Sequence, residues 1–486
     1  MTKDLLRVAV VGHTNTGKTS LLRTLLRDPS FGEVSDRPAT TRDVSGTVLL
    51  VGGSPLVELY DTPGLEDSIG LMEHLEGLES QGHEDDVDRV ERFLQSPAAS
   101  PSGLFSQEAK ALRQVLRSDT ALYVIDARDR PLPKHRDELA VLSMCARPVV
   151  PVLNFTARPE AETPMWRQQL SRLNLHAVAE FDTVVVDEES EQRLFQKMQT
   201  LLDPFRATLD ALIEDRQAER ERVIRSSARL IADLLLDAAS AAVVVPSDDP
   251  EQAHQRMGEL RDAVRRREQQ CVRDLLELHR FHPDDCEADE IPLENGQWRA
   301  DLFSSEAMRR FGIRTGSAAA AGAMGGLAVD VAVGGISLGA GTATGAALGA
   351  ALGAGRSYGR RVLNRMRGWG ELRLDEPTLH LLAARQVDLV RALLARGHAA
   401  RGPLRLAEGQ QQGDDARALG LPAPLTRARA NPGWSSLTTE RGEIFHDGHA
   451  APLPQSGRDA EAAALADLIR PRLEEPRTAP AQLPRK

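Results

Sequence analysis

Residues 12–19 read Gly-His-Thr-Asn-Thr-Gly-Lys-Thr, a full match to the pattern G-x-x-x-x-G-K-[ST]. That spacing is the chemistry of a phosphate cradle. Gly12 and Gly17 let the backbone curl until successive N–H groups face anionic oxygens. Lys18 brings a slender point charge to the outer phosphates, where a planar guanidinium would not fit. Thr19 offers a hydroxyl to Mg²⁺. Only six of the 60 basic residues are lysine, so a lysine retained at this position is informative. The phosphate-binding set expected from the pattern is Gly12, Asn15, Thr16, Gly17, Lys18, Thr19 and Ser20.

A second cluster supports the first. Asp61-Thr62-Pro63-Gly64 closes an apolar run, placing a carboxylate where it can hold Mg²⁺ through water and the Gly64 N–H where it can meet a terminal phosphate. Between the two clusters lies Ala39-Thr40-Thr41-Arg42-Asp43, whose hydroxyls could complete the metal shell. A terminal phosphate that gathers both segments is the physical basis of a nucleotide switch.

These residues need a scaffold, and the pattern over 1–202 supplies one. Short Val- and Leu-rich runs at Leu5–Val11, Val44–Val51, Leu56–Tyr60, Ala121–Ile125, Val149–Leu153 and Thr183–Val186 alternate with helix-compatible stretches. That reads as an α/β fold, a mainly parallel sheet with helices on both faces. Eight acidic residues between Glu73 and Glu91 suggest an exposed excursion from it. The 486 residues leave room for further domains. A net charge of −11 argues against wholesale nucleic-acid coating. Three cysteines without metal or redox spacing fit a reducing cytosol.

The phosphate loop, Thr-Thr-Arg-Asp and Asp-Thr-Pro-Gly together resemble the Era/TrmE-like bacterial GTPases of the translation-factor-related class, over about residues 5–202. The resemblance implies a Ras-like G domain that binds GTP and GDP with Mg²⁺. It makes Thr41 the switch ligand beside Thr19 and Asp61, and Lys18, Thr41 and Gly64 the catalytic set. It also implies that Asn15 can hold K⁺ beside the phosphates, in a site completed by a homodimer through the G domain. The fourth motif departs from the family: Asn154 is kept and Phe155 can pack on a base, but Ala157 stands where an aspartate would read guanine, with Glu160 and Glu162 nearby. The Ser-Ala-type base loop near Val186–Ser190 is not recognisable. Leu65 replaces a water-orienting glutamine, which implies slow hydrolysis. A subfamily carrying such a GTPase before a C-terminal domain of unknown function fits the rest of the chain.

Beyond 202 the reading is helical: a long hairpin over 203–310, a Gly/Ala-rich hairpin over 311–356, a helix over 357–400 and a mostly irregular tail over 401–486. Ser317–Gly355 contains one charge, Asp330, and Gly341, Gly345, Gly349 and Gly353 recur every four residues between arginine-rich flanks. Such small-residue spacing suits a membrane hairpin held from the cytoplasmic side, and equally a packed soluble one. The expected protein is cytoplasmic, with the inner-membrane surface or a protein effector as its partner. RNA is the less favoured partner.

Overall fold

The computed structural model describes residues 5–28, 31, 43–78, 85–185, 189–246, 249–281, 293–294, 297–298, 300–311, 327–329, 369–395, 421–439, 441–445 and 456–475. The chain forms two compact units, divided at Arg220/Glu221.

In the first unit, β1 (Leu6–Val11), β2 (Ser45–Val51), β3 (Ser54–Asp61), β4 (Thr120–Asp126), β5 (Val149–Asn154) and β6 (Ala179–Glu180) form one sheet. Its order is β2-β3-β1-β4-β5-β6, with only β2 antiparallel. Helices α1 (Lys18–Leu26), α2 (Ser68–Glu76), α3 (Asp86–Gln95), α4 (Ser106–Arg117), α5 (Pro133–Ser143), α6 (Thr163–Arg172) and α7 (Ser190–Gln199) cover it. The central strands are buried on both faces, as a parallel sheet requires. One face packs Leu71, Phe93, Leu112 and Leu142. The other packs Leu21, Leu25, Leu194 and Phe195, joined by Leu209 and Leu212 from the start of α8 (Arg206–Ser240).

Two expectations for this unit change. The acidic stretch is largely helical: Leu71, Leu75, Val90 and Phe93 at helical spacing bury one face of α2 and α3 and leave the carboxylates outward. Residues 79–84 lie outside the described set. The last strand is Ala179–Glu180 rather than Thr183–Val186, because the Val184 and Val185 N–H groups turn back onto the Asp182 carboxylate.

The second unit packs α8 from Ile224 onward against α9 (Pro250–Leu278), with β7 (Val243–Pro246) between them. The long hairpin is therefore broken by a strand of β-branched valines. Strands β8 (Leu293–Glu294) and β9 (Gln297–Trp298) pair with each other, and α10 (Ser305–Arg310) follows. Of Ser317–Gly355 only 327–329 are described, and they form strand β10 (Leu327–Val329). The rest of that Gly/Ala hairpin lies outside the described residues. Strand β11 (Trp369–Leu374) sits between β10 and β7, and α11 (Glu376–Leu394) follows it.

Two stretches of the tail are helical. Helices α12 (Ala423–Ala430) and α13 (Ser456–Glu474) bury Leu425, Ala428, Leu465, Ile469 and Leu473 in the core of this unit. Arg458 on α13 donates to Asp233 (2.9 Å) and Asp237 (3.1 Å) of α8, so a residue that reads as surface charge is an internal tie.

Candidate functional site

The phosphate loop leaves β1 at Val11 and enters α1 at Lys18 with the backbone the motif demands. Gly12 has φ 145°, Asn15 φ 64° and Gly17 φ 92°. Two glycines are also sterically fixed. A Cβ on Gly12 would lie 2.4 Å from the Val124 carbonyl oxygen, and one on Gly17 2.2 Å from the Asn154 amide nitrogen. Thr16 closes the loop from within, its hydroxyl donating to the His13 carbonyl (3.0 Å). Ser20 lies in the first turn of α1 and accepts the Thr24 hydroxyl on its carbonyl. Asn15 is exposed at the tip.

Lys18 is buried and donates Nζ to the carbonyls of Gly12 (3.1 Å) and His13 (2.8 Å). Burial pulls its pKa down, and the charges of Asp61, Glu138 and Glu66 oppose that pull. Thr19 Oγ1 donates to Asp61 Oδ2 at 2.5 Å. A hydroxyl and a carboxylate oxygen this close, at a helix N-terminus beside a lysine, are the hard oxygen donors that suit Mg²⁺. Thr40 and Thr41 lie outside the described residues; the adjoining Asp43 pairs with Lys110 (2.7 Å).

The Asp61–Gly64 turn is held against the loop. Thr62 donates its hydroxyl to the Val10 carbonyl (2.8 Å), and the Leu65 N–H reaches the Gly12 carbonyl (3.2 Å). Gly64 packs so closely on Thr14 that a Cβ would lie 2.4 Å from its hydroxyl. The Leu65 side chain is buried in the core, so it cannot orient a water. His13, which reads as a variable loop residue, has a defined task. Its Nδ1 lies 2.7 Å from the Leu65 carbonyl and 3.0 Å from the buried Glu138 carboxylate, which also accepts the Tyr123 hydroxyl (2.6 Å). The loop's second residue is thus fastened to the start of the second switch.

At the base end, Asn154 is fully buried and works as a hub. Its amide nitrogen donates to the Thr16 carbonyl (2.9 Å); its oxygen accepts the N–H groups of Phe155 (2.9 Å) and Thr183 (3.0 Å). Phe155, at φ 58°, lays its ring against Gly17 and beneath the Arg128 guanidinium, 4.2 Å from the ring centroid. Arg128 is held by both oxygens of Asp126. Ala157 donates its N–H to Asp182 Oδ2 (2.9 Å), while Oδ1 accepts from Val184 (2.9 Å) and Val185 (3.0 Å). Sequence reasoning missed Asp182. The available signal was an aspartate followed by a turn directly after the buried Phe181, the Asx-turn arrangement. Glu162 pairs instead with Arg130 (3.4 Å), and Glu160 is exposed.

Compared with family models, residues 7–155 match the one described as 50S ribosome-binding GTPase. Residues 167–449, more than half of the chain, match Domain of unknown function (DUF3482). The chain belongs to the DUF3482 family. The N-terminal part of this DUF3482 protein is an Era/TrmE-like G domain, the GTPase class its motifs resemble. Among curated relatives, the tRNA modification GTPase MnmE of Synechococcus elongatus (strain ATCC 33912 / PCC 7942 / FACHB-805) is 31% identical over 137 residues, 28% of each chain. That of Rhodospirillum rubrum is 34% identical over 157 residues, 32% of this chain and 31% of its own. The DUF3482 protein thus spans about three tenths of these relatives' length. A solved structure of Era with MgGDPNP and nucleotides 1506–1542 of 16S ribosomal RNA aligns over 50% of this chain and 72% of its own, with 16% identity and a TM-score of 0.29.

Proposed function

We propose that this DUF3482 protein is a GTP-binding switch that hydrolyses GTP slowly and whose nucleotide state controls association with a membrane or a protein effector. The observation that carries the reading is the Thr19–Asp61 pair at 2.5 Å beside the buried Lys18. Lys18 exchanges two loop carbonyls for phosphate oxygens when a nucleotide enters. Thr19 and Asp61, with Thr41, would hold Mg²⁺, which would neutralise charge on the phosphates. The Gly64 N–H meets the terminal phosphate. With Leu65 buried, no side chain at that position aims a water, and intrinsic turnover stays low. Titration of the full chain with GTP, GDP and ATP is expected to give Mg²⁺-dependent guanine-nucleotide binding. Binding without measurable phosphate release would leave a nucleotide-gated interaction protein.

Turnover is expected to depend on a monovalent ion. Asn15 would hold a monovalent cation, which would offset charge that develops in transfer, as an arginine finger does, and a G-domain dimer would close the site. Phosphate release should rise roughly 10-fold or more in K⁺ over Na⁺, and Asn15→Ala should erase the difference while sparing Mg²⁺-dependent binding. Equal rates in the two salts, across protein concentrations, remove K⁺ and the dimer from the mechanism.

The association arm rests on Ser317–Gly355. No helix among the described residues is long and apolar enough to cross a membrane. The Gly-xxx-Gly spacing and arginine flanks support membrane contact by this segment. After fractionation a substantial share of the protein should pellet with membranes, and deleting 317–355 should release it. A full-length chain wholly in the supernatant rejects the membrane arm. The relatives' names, tRNA modification GTPase, favour RNA as the competing partner, and RNA copurifying with the chain in stoichiometric amount would establish it.

A further inference from the structure

We propose that Asp182 is the carboxylate that reads the purine base, in place of the aspartate missing at position 157. The assignment rests on the GTP-binding reading above and names its specificity residue. Its basis is one juxtaposition. Asp182 Oδ2 lies 2.9 Å from the Ala157 backbone nitrogen, so a carboxylate oxygen arrives from β6 within one hydrogen bond of the residue where the resemblance requires an acid. The following residue, Thr183, donates to the Asn154 oxygen, and the Asn154 nitrogen donates to Thr16 of the phosphate loop. Asp182 is therefore in register with the phosphate site through two hydrogen bonds and one covalent step.

Its acceptor capacity is unevenly used. An ionised carboxylate has about four lone-pair sites. Among the described residues, Oδ1 accepts from Val184 and Val185, and Oδ2 accepts from Ala157 alone. One site on Oδ2 remains. Guanine presents N1–H and N2–H donors along the edge where adenine presents an N1 acceptor. A fixed carboxylate with one open site accepts one guanine donor and repels adenine, which gives a real preference but a smaller one than a pair of bonds would. Among the described residues, Asp126 holds Arg128, Glu162 pairs with Arg130, and Glu160 stands exposed. Phe155, fixed over Gly17, provides the apolar surface beside which a base would lie.

The test is diphosphate binding by the full chain, with GDP, ADP and xanthosine diphosphate as probes. The wild-type chain is expected to hold GDP roughly 10–100-fold more tightly than ADP, the worth of one charge-assisted bond. Asp182→Asn should bring the GDP:ADP ratio to within about 3-fold and improve xanthosine diphosphate relative to GDP, because an amide N–H can donate to the C2 carbonyl. Asp182→Glu should keep the guanine preference, and Glu160→Gln and Glu162→Gln should leave it unchanged. An equal loss of all three nucleotides in Asp182→Asn would mean the residue only holds the loops, and overturns the assignment. So would a shift of the ratio by either Glu variant, or equal wild-type affinities for GDP and ADP. If Asp182→Asn does not fold, a crystal structure of the wild-type chain with GDP decides: a guanine N1 or N2 within hydrogen-bond distance of Asp182 supports the proposal, and a base edge away from it rejects it. Failure of every nucleotide to bind the wild-type chain would sink the GTP reading itself, a result distinct from a guanine preference that ignores Asp182.

Discussion

Lys18→Ala is expected to weaken GTP and GDP binding by roughly 10²–10⁴-fold, the loss of two charge-assisted hydrogen bonds at about 1.5–3 kcal/mol each. The ammonium already stands desolvated in the mouth of the loop, occupied by the Gly12 and His13 carbonyls. Burial is the main influence on its pKa and lowers it; Asp61, Glu138 and Glu66 keep the charge in place. A nucleotide therefore meets a preorganised cation at Lys18, which exchanges two carbonyl acceptors for phosphate oxygens. Removing that cation leaves the carboxylates of Asp61, Glu138 and Glu66, which act on Lys18, without its counter-charge and of the wrong sign for a phosphate. Lys18→Arg should recover little, because the guanidinium is too wide for a loop in which Gly12 and Gly17 are already at contact distance from Val124 and Asn154. Isothermal titration with each nucleotide, alongside thermal unfolding to confirm the fold, measures both effects. Binding undiminished in Lys18→Ala would reject the phosphate-loop assignment.

What the sequence made legible here is what the backbone must do locally. The glycines of the loop are confined by φ and by contact distance, so type and spacing alone identify them, and the mainly parallel sheet follows from the alternating pattern around them. Ties made over long sequence distances left no such trace. Asn154 bonds to Thr16, 138 residues away, and nothing in its neighbourhood announces that partner. His13 is one residue inside an unmistakable motif, yet its partners are Leu65 and Glu138. Asp182 was hidden because Thr183–Val186 looks like a strand by composition, and the carboxylate's capture of two backbone N–H groups overrides that propensity. The tail misled for the opposite reason: Ala, Arg, Pro and Gln are spread along it without sustained periodicity, while alanines and leucines within two short stretches carry the packing of α12 and α13.

The second unit offers its largest effect at Glu268 and Arg385, where α9 and α11 exchange a buried ion pair. Arg385 Nη1 donates to both oxygens of Glu268 (3.1 and 3.2 Å), its other nitrogen reaches the Ala300 carbonyl, and its guanidinium lies over the Trp298 ring at 4.9 Å. Burial raises the Glu268 pKa, and Arg385 is the main influence pulling it back down. Arg385→Ala is expected to cost about 3–5 kcal/mol at pH 7, since it strands a buried carboxylate. The sign of its pH dependence follows. With Arg385 gone the folded-state pKa of Glu268 rises further above its unfolded value. A carboxylate raised in this way contributes stability that is complete below the unfolded pKa and lost as pH climbs through the folded one. The deficit of the variant should accordingly be largest at neutral pH and shrink as pH falls toward the ordinary carboxylate range near 4.5. Asp301 adds a second negative charge nearby and steepens the trend. Replacing both partners, Glu268→Leu with Arg385→Met, should return most of the lost stability, because neither charge is then left alone. Urea unfolding followed by tryptophan fluorescence at several pH values reads each of these. A deficit independent of pH, or a double variant no better than Arg385→Ala, would mean that the guanidinium acts through its packing on Trp298 rather than through its charge.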